Sequence, residues 1–240
     1  MEKEKYFNFV KKNSNKAEIY IYGYIMSEDF RDDQDTSAIS FKKELDGLGN
    51  VKEIELHVNS GGGMVFEAAA IYNMLKRHPA TITAYIDGLA ASAASMIVMA
   101  ASKVYMPENG FIMIHNAWSA ASGDHREMTK QADVLRQLTE ILKVAYIEKG
   151  LNISKEELTR LMDEETWLDC RTAIGFGFAD EMIRPVNAAA SIDRNLLNQY
   201  QNVPDDLERK LASENPVDKK QNNLVANPLV KAFLNMKGEN

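Results

Sequence analysis

Two serines, Ser92 and Ser95, sit three residues apart in the small-residue stretch "DGLAASAASM". A serine hydroxyl becomes a useful nucleophile only when a base takes its proton and a third group orients that base. The best base in the chain is His115, which ends the apolar run "FIMIH". A polar residue at the C-terminal edge of a strand would face a crevice. For the third group, "MDEETWLD" supplies Asp163, Glu164, Glu165 and Asp169 around Trp167, an anchor that could turn one carboxylate inward. A glycine run, Gly61-Gly62-Gly63, follows Asn59-Ser60. Glycines at a strand-to-helix turn let backbone amides face a cleft, where they can stabilise an oxyanion.

Each feature also has a plainer explanation. A serine near a helix start more often caps or packs than attacks. A run of glycines is often just a turn, and an acidic cluster is usually a solvated face. Among the other histidines, His57 reads as a strand residue, His78 as a helix-end residue and His125 as a solvated residue at a helix start.

These residues need elements to position them. "AEIYIYGYI" (17–25) is β-branched and aromatic and reads as a strand. A helix follows in "DTSAISFKKELDGL", with Asp35 or Ser37 as its N-cap. Ile54, Leu56 and Val58 alternate at period two, predicting a strand that ends at Asn59. The glycine turn leads into a helix carrying Ala68, Ile71, Met74 and Leu75, which stops near His78-Pro79. "TITAYIDG" is the next strand, and the serine segment is predicted to form a helix directly after it. "KVYM" and "FIMIH" are short strands. Residues 124–149 form the clearest amphipathic helix, with Met128, Leu135, Leu138, Ile141, Leu142 and Ala145 on one stripe. Ser154 with Glu157 predicts a capping box for a further helix. The acidic stretch reads as a loop, and "TAIGFGFADEMI" as a short helix, a turn and a last strand.

Alternating strands and helices over 17–185 indicate one α/β domain with right-handed crossovers. Residues 1–16 form an N-terminal segment. From 186 to 240 the chain turns rich in Asn, Gln and charge, and reads as a variable, partly helical or disordered tail. Apolar residues are 45 % of the chain, enough for a large core, and a net charge of −7 disfavours general nucleic-acid or anionic-membrane binding. One cysteine, Cys170, excludes an internal disulfide and suits a reducing compartment. The scattered histidines show no metal-ligand spacing. No apolar stretch has the length of a membrane span. The expectation is a cytoplasmic protein without metal or cofactor. "NSGGGM" lacks the Gly-Lys-Ser/Thr ending of a phosphate loop, so any ATP-driven partner would be a separate protein.

Taken together, "HVNSGGGMVFEAAAIYNML", "DGLAASAASM", "FIMIHNA" and "EETWLDCRTAIGFGFADEMI" resemble the proteolytic subunit of Clp protease, a serine peptidase of the ClpP/crotonase superfamily. The resemblance spans about 17–185 and implies a fold of repeated β-β-α units. It implies that Ser92, not Ser95, is the nucleophile and that His115 is the base. The family's aspartate position falls on Glu165, with Asp163 as the alternative acid. The amides of Gly63 and Ala93 map to the oxyanion donors, and Gly61 stands where the family usually has proline. The resemblance also implies homo-oligomeric rings, typically heptamers stacked in pairs, with 124–149 as the helix joining ring to ring. Protein or peptide substrates follow, with an ATP-dependent unfoldase as a candidate partner. The divergent tail and the "EETW" segment look more like phage or prophage Clp-like proteases used in head maturation, whose partners are capsid proteins. Rival expectations are a crotonase-type acyl-CoA enzyme, a Ser/Lys peptidase, and a non-catalytic ring or capsid-assembly component with a degenerate triad.

Overall fold

The computed structural model describes residues 7–33, 35–185, 199–205 and 207. Eight strands form one mixed sheet. Its main path runs β1 (Phe7–Lys11), β2 (Lys16–Ile21), β3 (Glu53–Ser60), β4 (Thr81–Ala91), β5 (Lys103–Pro107) and β8 (Glu181–Ile183). The β1–β2 hairpin is antiparallel, whereas β2 to β5 and β8 are parallel. Off this path, β6 (Phe111–Ile114) pairs with β4 in parallel and with β7 (Thr166–Asp169) antiparallel.

Strand β4 is the pivot. Its first half, Thr83–Tyr85, pairs with β5, and its last residues, Leu89–Ala91, pair with β6. Two neighbours therefore share one strand, β5 along its first half and β6 along its end, with β7 paired to the far edge of β6.

Period-two patterning explains which face is buried. Ala17, Ile19 and Ile21 on β2, Ile54, Leu56 and Val58 on β3, and Ile82, Ala84 and Ile86 on β4 all enter the core. The core is completed by α1 (Ala38–Gly47), α2 (Val65–Arg77), α3 (Ala93–Val98) and the C-terminal half of α4 (His125–Lys149). The opposite face carries a row of stacked rings: Tyr20, His57, Tyr85 and Tyr105, with successive centroids 4.7, 5.0 and 5.1 Å apart. Of the two N-cap candidates for α1, the cap is Ser37, which accepts the Ser40 amide in a reciprocal capping box. Such a cap contributes about 1 kcal/mol. At α5 (Lys155–Asp163), Ser154 accepts the Glu157 amide, while the Glu157 carboxylate turns to Arg160 instead of closing the box. Helix α6 (Cys170–Phe176) is capped by Asp169.

Several elements differ from their sequence expectation. Strand β4 continues through Asp87-Gly88 to Ala91, so helix α3 begins only at Ala93. The small residues 88–91 carry no helical periodicity, and pairing with β6 holds them extended. The acidic loop contains a strand, β7, because Trp167 and Leu168 pair with Met113 and Ile112. Residues 7–11, within the segment set apart at the N-terminus, form β1 and place Phe7 and Phe9 against Phe41. The α4 stripe is buried only toward its C-terminal end, at Leu142 and Ala145, while Met128 is exposed. Finally, part of the polar tail belongs to the fold. Tyr200 and Leu207 are buried against Leu89, Ala91, Phe111 and Met113. The rest of the tail, 186–198, 206 and 208–240, lies outside the described residues.

Candidate active site

Ser92 stands at the junction between β4 and α3. Ala91 pairs with Met113, and the Ser92 amide extends that pairing by donating to the Met113 carbonyl at 2.8 Å. The backbone then turns sharply, with Ser92 at φ 53 and ψ −125. A non-glycine residue with positive φ is uncommon and strained, and it persists only where surrounding structure enforces it. Here the enforcement comes from β6 pairing on one side and the buried helix α3 on the other.

The same pairing delivers His115. It lies two residues beyond Met113, just past the end of β6, and its Nε2 is 2.7 Å from Ser92 Oγ. The residue is 7 % exposed, and burial pushes its pKa down to about 4. It is therefore neutral near pH 7 and able to accept the serine proton.

Ser95, one turn along α3, has a different job. Its hydroxyl donates to the Ser92 carbonyl at 2.6 Å and lies 2.7 Å from the phenol oxygen of Tyr146. This fixes the turn that carries Ser92 to the long helix α4.

The glycine run packs against that turn. Gly62 has φ +92, and a Cβ there would lie 2.6 Å from the Ala91 carbonyl oxygen, 2.9 Å from Ser92 Cβ and 3.0 Å from the Ala93 nitrogen. Gly63 has φ +151, and its Cβ would lie 2.0 Å from the Ile25 carbonyl oxygen. Only glycine permits both the dihedrals and the approach. The Gly62 amide is committed to Ser60 Oγ at 3.1 Å. Among the described residues, the Gly63 and Ala93 amides have no acceptor, so both are available beside Ser92.

The two candidate acids go elsewhere. Glu165, itself at φ 49, uses Oε1 to accept the amides of Gln201 at 2.7 Å and Asn202 at 2.8 Å. Asp163 accepts from Asn116 Nδ2 at 2.7 Å. Asp169 caps α6 through the Thr172 amide, and Glu164 pairs with Arg160. Among the described residues, no carboxylate hydrogen-bonds to the His115 ring, and burial alone accounts for its depressed pKa. The other histidines stay remote in role. His57 Nδ1 pairs with Asp87 at 2.9 Å, His78 Nδ1 accepts the Ala80 amide, and His125 begins α4 in solvent.

One participant was not anticipated. Tyr200 packs its ring edge-on against His115 at 5.5 Å and Trp167 at 5.7 Å. Its hydroxyl donates to the Gly61 carbonyl and also approaches the Ser92 side chain. Burial holds the phenol pKa far above its ordinary value, so it remains a donor. The only sequence signal was an aromatic residue in an otherwise polar tail, which carries no periodicity to exploit.

Comparison with known proteins gives this geometry a context. The Clp protease family model matches residues 5–186. The ATP-dependent Clp protease proteolytic subunit of Deinococcus radiodurans is 28 % identical over 142 residues, covering 58 % of this chain and 69 % of the relative. That of Lactococcus lactis is 28 % identical over 143 residues, covering 58 % and 71 %. Among solved structures, a point mutant of ClpP1 from Listeria monocytogenes superposes with a TM-score of 0.59 at 24 % identity, covering 73 % of this chain and 94 % of that one. That structure shares the fold. The chain belongs to the Clp protease family.

Proposed function

We infer that this protein is a serine endopeptidase that hydrolyses peptide bonds through an acyl-enzyme. The observation that carries the reading is the 2.7 Å approach of Ser92 Oγ to His115 Nε2 at a strained strand-to-helix junction, with two uncommitted amides alongside. The relatives' printed names, as proteolytic subunits, support the same reading.

In this mechanism Ser92 Oγ attacks the scissile carbonyl carbon as its proton passes to His115 Nε2. The carbonyl oxygen becomes an oxyanion facing the Gly63 and Ala93 amides. Collapse of the tetrahedral intermediate breaks the C–N bond, and His115 returns the proton to the departing amine. Water, deprotonated by the same ring, then releases the acid product and regenerates the serine. The orienting acid is Glu165, with Asp163 as its alternative, once the Glu165 carboxylate is released from its present partners.

Assembly into rings follows from family membership, and the exposed apolar residues Met128, Val134, Val144 and Ile147 on α4 suit a joint between rings. Protein substrates delivered by an ATP-dependent unfoldase, or capsid precursors in phage head maturation, are the candidate substrate sources. Neighbouring portal and capsid genes would favour the latter. That no carboxylate among the described residues bonds to His115 favours one rival, a ring component with an incomplete triad. A fluorophosphonate probe separates them: labelling of Ser92, lost in Ser92→Ala and retained in Ser95→Ala, supports the peptidase. A protein that never labels would be the non-catalytic component or a crotonase-type enzyme, which needs no activated serine.

A further inference from the structure

A peptidase site should leave room beside its nucleophile for a substrate side chain. Here that space is filled. Leu89 and Ala91 from β4, Phe111 and Met113 from β6, and Trp167 from β7 surround a buried aromatic ring, and the ring belongs to Tyr200. Its hydroxyl bonds to the Gly61 carbonyl at the start of the glycine turn and approaches Ser92, where a substrate would have to lie.

The backbone after Tyr200 is held as well. Glu165 Oε1 accepts the two successive amides of Gln201 and Asn202, and Asn202 Nδ2 donates to the Glu164 carbonyl at 2.8 Å. Charge-assisted bonds from a carboxylate to two amides are stronger than neutral ones. Leu207 adds a second apolar anchor in the same cluster, with Val203 packed between. The contacts thus have three parts: a ring in a pocket, a carboxylate on the backbone, and a distal apolar anchor. Among the described residues, the buried indole nitrogen of Trp167 has no acceptor, so the pocket wall keeps one unused donor.

We propose that residues Gln199 to Asp205, together with Leu207, form a cis-acting plug. Tyr200 occupies the side-chain pocket beside Ser92 while Glu165 clamps the segment's backbone, so docking both blocks substrate and diverts the acid from His115. Undocking performs two tasks at once: it empties the pocket and frees Glu165 to turn toward the base. The proposal rests on the peptidase reading above, and the pocket's ligand class is an aromatic residue followed by two residues with unpaired amides.

The test uses the full chain and fluorophosphonate labelling of Ser92, with hydrogen exchange as an independent readout. Tyr200→Ala should label at least ~5-fold faster than wild type, because the rate scales with the fraction of undocked chains. Tyr200→Phe, which keeps the ring and its packing but loses the hydroxyl, should fall between the two. A synthetic peptide of residues 199–207 added to Tyr200→Ala should restore slow labelling, and the same peptide with alanine for the tyrosine should not. In the wild type the Gln201 and Asn202 amides should be protected from exchange, and Tyr200→Ala should lose that protection. Equal labelling of wild type and both variants would overturn the plug and leave the peptidase standing. Unprotected amides in the wild type would overturn the docking itself. No labelling in any form would overturn the peptidase reading, and with it any inhibitory role for the segment.

Discussion

Glu165 Oε1 lies 2.7 Å from the backbone nitrogen of Gln201, a residue 36 positions downstream, and not against His115, the ring that the proposed mechanism has it orient. The acid of the candidate triad is therefore engaged, but by the polypeptide's own tail. The consequences can be measured at several sites.

In the Tyr200→Ala background, Glu165→Gln should lower kcat on a peptide substrate by roughly 10³–10⁴-fold with little change in KM, the signature of a lost orienting acid. Asp163→Asn in the same background should retain most of the rate, because Asp163 is held by Asn116. Reversal of the two effects would assign the acid role to Asp163.

Ser92→Ala should lose about 10⁶-fold in kcat while remaining folded. Ser95→Ala is expected to show the opposite pattern. It removes a buried hydroxyl bonded to the Ser92 carbonyl and Tyr146, which should cost about 1–3 kcal/mol in denaturant unfolding. Its activity should fall far less. A Ser95→Ala protein as inactive as Ser92→Ala would contradict the division of roles.

Gly62→Ala should disable labelling of Ser92 without abolishing the fold. Its added methyl would meet the Ala91 carbonyl and Ser92 Cβ inside 3.0 Å, so the nucleophile turn must shift. Gly63→Ala, whose methyl would overlap the Ile25 carbonyl, should be poorly expressed or unfolded. Circular dichroism together with probe labelling distinguishes these outcomes.

The buried His115 makes a pH prediction. Its folded pKa of about 4 lies below the unfolded value near 6.5, so the unfolded chain binds the extra proton between these limits. His115 thus contributes a loss of stability as pH falls from about 6.5 to 4, up to ~3 kcal/mol, and nothing further below. Unfolding free energies of wild type and His115→Gln, measured from pH 7 to 4, should diverge across that window. Parallel curves would argue that the ring is solvated.

Much of this architecture was legible in the residues. Ile54-Leu56-Val58 and Ile82-Ala84-Ile86 sit in strands with the register that their alternation demands, because burial on one face forbids a slip by one residue. The motifs also picked out Ser92 and His115, whose side chains the structure brings to 2.7 Å, although the strand pairing that does so was not read from them. The extension of β4 to Ala91 and the strand at 166–169 were not legible. Both depend on pairing with β6, a tertiary partner that local composition does not report. The tail was harder still. Tyr200 and Leu207 are two apolar residues seven positions apart in a polar run, and only the shape of the pocket shows why they are buried.

The divided pairing of β4 has a mechanical consequence. Ser92 is carried by the central strand of the main sheet, whereas His115 and Glu165 flank the β6–β7 pair, which joins that strand over just three registered residue pairs. The proposed nucleophile and base are thus brought together across one short parallel seam. Any slip along that seam would be felt first in the 2.7 Å contact between Ser92 and His115.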